Sequence, residues 1–156
     1  MPLHPESDWR SDGSLAYALM RLTFGVNLFM RGVMRIYMGT GGFAQGMLKQ
    51  FEGMPMPAAI IQPFALALPW VESAIGLMLI LGLQTRVALV AGSLMMTVLT
   101  FGTMVRQDFQ TAWLQLGYVL MFFVLLALRS WNLISVDRAL EAPKTRTEAG
   151  LKTGLM

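Results

Sequence analysis

One acidic side chain stands alone in the most apolar part of the sequence, and it is the first candidate for chemistry. Glu72 is the single acidic residue between positions 53 and 107, and an apolar run follows it closely. An ionised carboxylate is costly in hydrocarbon, so this group has to be paired, protonated or hydrated. Two interpretations stay open. Glu72 could relay a proton in a reaction, or it could form an internal salt bridge that fixes the packing of helices.

Arginines that could pair with Glu72 lie in an earlier apolar segment. Helical spacing puts Arg21 and Arg35 on one stripe of this segment, with Arg31 at its edge. If the two segments run antiparallel, the depth of Glu72 falls between Arg21 and Arg31, and arginine side chains are long enough to reach it. We therefore expect a Glu72–arginine pair and leave the choice of arginine open. Asn27, in the same segment, is expected to hydrogen-bond between helices.

A second group of polar side chains lies on one side of a later apolar segment. Arg86, Ser93 and Thr97 suit helix–helix hydrogen bonds or the wall of a polar cavity. Arg86 stands at a helix end, where it also suits an anchor at the membrane surface. The full set of candidate ligand-binding residues is Arg21, Asn27, Arg31, Arg35, Arg86, Ser93 and Thr97, with Glu72 as the candidate catalytic residue.

These residues lie in segments whose composition is that of membrane helices. The 156-residue chain is 55% hydrophobic and only 13% charged, whereas a typical soluble domain carries about 25% charged residues. A spanning helix needs about 20 mainly apolar residues. Charge-poor segments predict four such helices, and the short connections between most of them favour antiparallel packing. The predicted fold is an all-α integral membrane four-helix antiparallel bundle, with helices at about residues 14–37, 59–83, 86–105 and 112–130.

The remaining segments are predicted to be tails and one long loop. Residues 38–58 connect the first two helices, and Phe43 to Phe51 could form a short helix at the membrane surface. Residues 1–13 and 131–156 are polar, and we expect both to be tails, the second of them flexible. Positive charges are more numerous on the side of the termini, which predicts that both termini are cytoplasmic, at an inner or cytoplasmic membrane.

The residues that the sequence lacks limit its chemistry. There is no cysteine, and the one histidine, His4, lies in the polar N-terminal tail. The predicted helices therefore offer neither residue as a ligand for haem, copper, zinc or an iron–sulfur cluster. A net charge of +3, thinly spread, does not indicate nucleic-acid binding. We expect no metal site and no intrinsic cofactor, so a redox role would need a partner's cofactor or a dissociable one such as a quinone.

Three stretches of the chain resemble the DoxX family of four-helix membrane proteins, over roughly residues 15–130. They are Arg21-Leu22-Thr23-Phe24-Gly25 with Phe29-Met30-Arg31-Gly32, then Pro55-Met56-Pro57, then the segment from Glu72 through Gly76 and Gly82 to Thr85-Arg86. Arg35 departs from the family pattern, where lysine is usual, and this changes the donor geometry. The resemblance implies a respiratory-membrane redox context, in which some relatives are the membrane part of a quinone-linked oxidoreductase.

Three functions follow from these observations and from the resemblance. The first is a membrane subunit of a quinone-linked respiratory oxidoreductase complex. In it, a pocket between the first two helices holds a quinone or a small anion, and the redox cofactor belongs to a protein partner. The second is a non-catalytic accessory subunit of a larger membrane complex, in which the charged pair is a structural lock. The third is a small transporter, although the chain has no evident inverted repeat. Whether the protein is an enzyme stays open.

Overall fold

The computed structural model describes residues 11–141, and every regular element in that range is helical. This confirms the predicted all-α class. The longer elements are α1 (Asp12–Tyr37), α2 (Thr40–Gln50), α3 (Ala58–Leu81), α4 (Thr85–Val105) and α5 (Phe109–Ala127). A 3-10 turn at Arg129–Trp131 and the short helix α6 (Val136–Glu141) follow.

Three of these helices are long and apolar enough to cross a membrane, namely α3, α4 and α5. Their outward faces carry large apolar side chains that are well exposed, such as Trp70, Leu94 and Phe123. Surfaces of this kind are typical of contact with lipid or with another protein. Helix α1 has 26 residues, which gives it a length of about 39 Å, but its arginines keep it out of this apolar class. The predicted fourth span therefore stays a prediction.

The long helices pack in antiparallel order. Helix α1 lies along α3 over most of its length, α3 contacts α4, and α4 packs along α5. Gly82 closes α3 in the left-handed conformation, with φ of 66°, and this allows the tight turn into α4. Between α4 and α5, the Thr103 hydroxyl donates to the Gln115 side-chain oxygen at 2.9 Å in a buried position. By contrast, the backbones of α1 and α5 stay apart and the two helices meet through the Tyr118 side chain, so one edge of the bundle is open.

The predicted loop at residues 38–58 is more helical than expected. Gly39, with φ of 97°, precedes α2, which begins at Thr40, whereas the sequence suggested a short helix from Phe43 to Phe51. The helix starts early because Phe43 and Met47 pack against the hydrophobic core and hold its first turns in place. Helix α2 lies against α3 beside the end of α1.

The C-terminal part of the chain also differs from the prediction. The sequence suggested a flexible tail from residue 131, but residues 131–141 fold back onto the bundle. Trp131 packs beside Gly13 near the start of α1, and the Asp137 backbone N–H donates to the Gly82 carbonyl at 3.1 Å. The rest of that predicted tail, residues 142–156, lies outside the described residues, as do residues 1–10 of the N-terminal one.

Candidate functional site

The central feature of the molecule is a charged cluster of three residues, Arg31, Arg35 and Glu72, which we call the Arg–Glu cluster. The Glu72 side chain has no exposed surface. Arg35 Nη1 donates to Glu72 Oε2 in a short contact, and Arg31 Nη2 lies 3.4 Å from Glu72 Oε1. The structure thus places two arginines, not one, against the carboxylate that the sequence singled out.

Glycines on both helices bring the cluster together. A Cβ atom on Gly32 would overlap the Pro69 carbonyl and the Ser73 backbone, and one on Gly76 would overlap the Phe29 backbone. The backbones of α1 and α3 are therefore in direct contact at these two positions. Because Gly32 lies between the two arginines in the sequence, their side chains start close to α3 and reach Glu72 by folding back onto it.

Aromatic rings cover the outer sides of both arginines. The Arg31 guanidinium carbon lies 5.5 Å from the centre of the Tyr118 ring, and that of Arg35 lies 4.6 Å from the centre of the Phe43 ring. Cations over aromatic faces at these distances are stabilised by the ring quadrupole. Helices α5 and α2, which carry the two rings, thus complete the cluster around the α1–α3 contact.

Measured along α3 and α5, the cluster lies well inside the helical layer, whereas Arg35 stands in the last turn of α1. At 1.5 Å per residue, Glu72 is about 21 Å from the start of α3 and about 14 Å from its end. Tyr118 is at the middle of α5, about 14 Å from each of its ends. Its hydroxyl donates to the Asn27 side-chain oxygen at 2.8 Å, which is the interhelical hydrogen bond expected of Asn27. Two guanidiniums and one carboxylate leave this interior site with one excess positive charge.

This arrangement suits an ion-pair lock better than a reactive centre. A proton relay needs a path to water, and the Glu72 side chain is wholly covered in the described part of the chain. A quinone or anion pocket needs open volume, whereas α1 and α3 are in backbone contact at Gly32 and Gly76. The predicted pocket between these helices therefore gains no support, and a bound quinone stays a prediction.

Arg21 does not reach Glu72, although the sequence placed it among the candidate partners. It is only 4% exposed. Its Nη1 donates to Asn132 Oδ1 at 2.8 Å and its Nη2 to the Ile134 carbonyl at 2.9 Å. The antiparallel register explains this, because Gly32 lies beside Ser73 and Arg21 consequently lies beside Gly82, at the far end of α3. Arg21 thus fastens the C-terminal segment to the bundle.

The second predicted group of polar residues, Arg86, Ser93 and Thr97, does not form a site together with Glu72. Ser93 donates to the Leu89 carbonyl at 2.9 Å and Thr97 to the Ser93 carbonyl at 3.0 Å, so both hydroxyls bond within their own helix. Arg86 is exposed at the start of α4, where it lines an open pocket of about 750 Å³ together with Arg129 and Arg138. This position suits an anchor at the membrane surface.

An apolar cavity of about 140 Å³ lies elsewhere, between α2, α3 and α4. Its walls include Met47, Phe64 and Leu99, and Arg106 stands among its lining residues. Arg106 is engaged by two neighbours, since it donates to the Gln50 side-chain oxygen and to Asp108 Oδ2, the latter at 2.9 Å. No residue of α1 lines the cavity, so it is not the pocket predicted between the first two long helices.

Sequence reasoning missed Asp137, which caps α4 from a distant part of the chain. Asp137 Oδ1 accepts from the Gln84 backbone N–H at 2.6 Å, and Oδ2 accepts from the Thr85 N–H and hydroxyl, both at 2.9 Å. A polar tail was expected here, so this residue was not considered. The signal that could have revealed it is Ser135, whose hydroxyl accepts from the Arg138 N–H and starts α6.

Asp137 predicts a pH-dependent contribution to stability. Burial raises the pKa of its carboxyl, but the hydrogen bonds from Thr85 and Gln84 outweigh this and hold the pKa below its usual range. A lowered folded-state pKa stabilises the fold above the unfolded value of about 3.9, and this contribution is lost as the pH falls through the folded value. We expect Asp137→Asn to lower the free energy of unfolding at neutral pH by about 1 kcal/mol, because an amide nitrogen in place of Oδ2 cannot accept from Thr85.

Thermal unfolding in detergent, followed by circular dichroism from neutral to acid pH, checks this expectation. The difference between wild type and Asp137→Asn should shrink as the pH falls. Arg138→Gln is the matched control, because Arg138 is an exposed neighbour on α6 whose substitution should change the unfolding temperature little. A constant difference at all pH values would show that the charge of Asp137 is not what caps α4.

The apolar helices and their exposed faces define a helical integral membrane protein. Within that class, a family model described as methylamine utilisation protein MauE matches residues 13–112, and the chain belongs to this family. The match includes the whole Arg–Glu cluster and ends near the start of α5. No similar curated protein and no similar solved structure was found.

The family match corrects the resemblance to the DoxX family, which was wrong. That resemblance depended on Glu72, on glycines such as Gly76 and on Arg86, in a setting of apolar residues. The structure explains why these features did not discriminate between membrane families. Gly76 allows two helices to touch, and Arg86 is exposed at a helix end, so each serves a role that many helical membrane proteins need.

Proposed function

We propose that this protein is an accessory membrane component of a methylamine utilisation system, which supports partner proteins without carrying out the chemistry itself. The observation that carries the proposal is the complete burial and ion pairing of Glu72. The one acidic side chain at mid-depth is covered completely and engaged by Arg31 and Arg35, as expected of a structural lock. Membership of the MauE family supplies the methylamine context.

The inventory of reactive side chains supports the same proposal. The sequence has no cysteine, and its single histidine, His4, precedes the helices. Oxidation of an amine needs an electron acceptor. When that acceptor is a protein-bound metal, cysteine or histidine is the usual ligand. Electron transfer in such a system would accordingly belong to another protein, with this chain as a membrane-bound companion.

We propose further that the protein spans an inner membrane four times, through α1, α3, α4 and α5. Helix α1 lies antiparallel along α3, and its Arg31 and Arg35 pair with Glu72 and lie over aromatic rings, which reduces the cost of placing them in the bilayer. Arg86, Arg129 and Arg138 lie at the same end of the bundle. By the positive-inside rule, this end and both termini are cytoplasmic.

The test replaces Glu72 by glutamine in the native host and measures methylamine oxidation by membranes. Glutamine keeps the shape of the side chain and can still accept from Arg35, but it cannot relay a proton. We expect the variant, normalised to its amount in the membrane, to support oxidation close to the wild-type rate. A general acid or base contributes roughly 10²- to 10⁴-fold to a rate, so a loss of that size at normal protein level would contradict the proposal.

The accessory role itself is tested by purification of the tagged protein in mild detergent. We expect stoichiometric amounts of other methylamine utilisation proteins to copurify with it, for wild type and Glu72→Gln alike. The matched control is an unrelated helical membrane protein with the same tag. A monodisperse protein that carries no partner, in a host growing on methylamine, would contradict an accessory role.

A further inference from the structure

The open edge of the bundle offers a place for a partner. We propose that the groove between α1 and α5 binds a transmembrane helix of a partner protein, and that this helix carries a carboxylate near its midpoint. The inference rests on the proposed accessory function and adds the surface and the chemistry by which the partner is recognised. Three independent features of the groove support it: its shape, its small and polar residues, and the charge beside it.

The shape of the groove leaves room for a further helix. The backbones of α1 and α5 approach each other at few points, Tyr118 contacts α1 at the floor of the groove, and the space between the helices has a volume of about 340 Å³. Its lining residues are Thr23, Phe24, Asn27, Leu114, Gly117, Tyr118 and Met121. Large apolar side chains flank it on both sides, and those of Val26 on α1 and Leu114 on α5 are well exposed.

Gly117 is the residue of the groove that most favours a close helix contact. A Cβ atom added to it would meet nothing within 4 Å. The glycines of α1, α3 and α4 in the described chain each pack against a neighbour, as Gly76 does against α1. Small residues let transmembrane helices approach closely, and hydroxyl or amide side chains such as Thr23 and Asn27 add hydrogen bonds between helices.

The positive charge beside the groove requires a negatively charged side chain on the partner helix. Arg31 is one helical turn beyond Asn27 on the same face of α1, and its guanidinium lies over the Tyr118 ring, a wall of the groove. Among residues 11–141, Glu72 is the one carboxylate within ion-pair distance of Arg31 or Arg35. Arg35 donates a hydrogen bond to Glu72 Oε2. The Arg31 side chain is 31% exposed and lies 3.4 Å from Glu72 Oε1.

A carboxylate on a neighbouring helix is the counter-charge that fits this depth. Because Arg31 and Arg35 share one carboxylate, the cluster keeps one uncompensated positive charge, which is costly in hydrocarbon and calls for a second anion. Lipid phosphates lie at the membrane surface, whereas Tyr118 is at the middle of α5. A second copy of this chain has no spare carboxylate to offer at this depth, because Glu72 is the single acidic residue between positions 53 and 107 and is already buried and paired.

The test uses a synthetic probe instead of the native partner. The probe is a labelled leucine–alanine helix of about 20 residues, with glutamate at its midpoint, and a matched peptide has glutamine there. Binding to the labelled full-length protein in phosphatidylcholine vesicles is measured by fluorescence energy transfer. We expect the glutamate peptide to bind at least about tenfold more tightly than the glutamine peptide, and Arg31→Gln to abolish this preference.

A second variant tests the groove without touching any charge. Gly117→Leu fills the open space on α5 and should weaken the binding of both peptides. Gly46→Leu is the matched control, because Gly46 also has nothing within 4 Å of an added Cβ but lies on α2, away from the groove. Circular dichroism confirms that each variant is folded. If Arg31→Gln does not fold, Gly117→Leu still tests the groove, and the comparison of the two peptides on the wild-type protein still tests the carboxylate.

Each outcome separates this inference from the proposed function. Equal binding of the two peptides to the wild-type protein, or unchanged binding to Gly117→Leu, would overturn the docking groove. Copurification of native partners would then still support an accessory role through another surface. Energy transfer between two labelled copies of this chain, weakened by Gly117→Leu, would instead identify the groove as a surface for self-association and would also overturn the proposal.

Discussion

Replacing Glu72 by leucine is expected to lower the free energy of unfolding by about 3 kcal/mol, the lower end of the range for breaking a buried ion pair. The substitution leaves Arg31 and Arg35 facing each other across an apolar side chain, without the carboxylate that now holds both. The lower end applies because the two arginines keep about a quarter to a third of their side-chain surface exposed and can turn outward. Unfolding in mixed micelles by a denaturing detergent, followed by circular dichroism, gives the measurement.

A charge-free variant separates the ion pair from the packing. In the triple substitution Glu72→Leu, Arg31→Leu and Arg35→Met, no charge is left unpaired, and we expect most of the lost stability to return. A double-mutant cycle built from the single substitutions measures the coupling between each arginine and Glu72. If Glu72→Leu is as stable as the wild type, the Arg–Glu cluster is not a lock. The triple variant should also lose the preference for the glutamate peptide, since it lacks Arg31.

The sequence was sufficient to predict the helical membrane class and the pairing of Glu72 with arginine. Both follow from energies that are large compared with any local preference. An apolar helix has to satisfy its backbone internally, and a carboxylate at mid-depth has to find a partner. Such constraints do not depend on the details of packing, so composition and spacing reveal them directly.

The register of the helices could not be predicted, and it decides which arginine meets Glu72. Gly25 and Gly32 both allow close approach, and sliding α1 by a few residues along α3 would have brought Arg21 nearer to the carboxylate. The observed register places both Gly25 and Gly32 against α3, with Gly76 as the partner of the first. This match of three glycines is a property of the two helices together, and neither segment reveals it alone.

The C-terminal segment was missed for a related reason. Residues such as Asn132 and Asp137 read as a polar tail because polarity indicates exposure when no partner is known. In the structure, Asp137 caps α4, and Asn132 joins Arg21 to the Thr85 hydroxyl. These polar groups satisfy helix ends that the sequence of α4 leaves uncapped, since Gln84 makes no side-chain capping bond. An unsatisfied helix start is thus a clue that a later polar segment folds back.

Replacing Gly76 by alanine is expected to lower the free energy of unfolding by about 3 kcal/mol, the upper end of the range for overpacking. The added methyl group would meet the backbone nitrogen and Cα of Phe29, which cannot rotate away as a side chain can. Relief requires α1 to move away from α3, and this movement would also draw Arg35 away from Glu72. The loss should therefore be coupled to the ion pair, and it should be smaller in the charge-free triple variant described above.

Gly117→Ala is the matched control for this substitution, because it adds the same methyl group to a helix at a position with nothing within 4 Å. Alanine has the higher helix propensity, so we expect this control to be neutral or to gain up to about 1 kcal/mol. Both variants are measured by the same detergent-unfolding experiment. Equal stabilities for Gly76→Ala and Gly117→Ala would mean that α1 and α3 are not in backbone contact. A large loss confined to Gly76→Ala, and smaller in the triple variant, would show that the glycine contact holds α1 against α3 where two arginines meet one carboxylate.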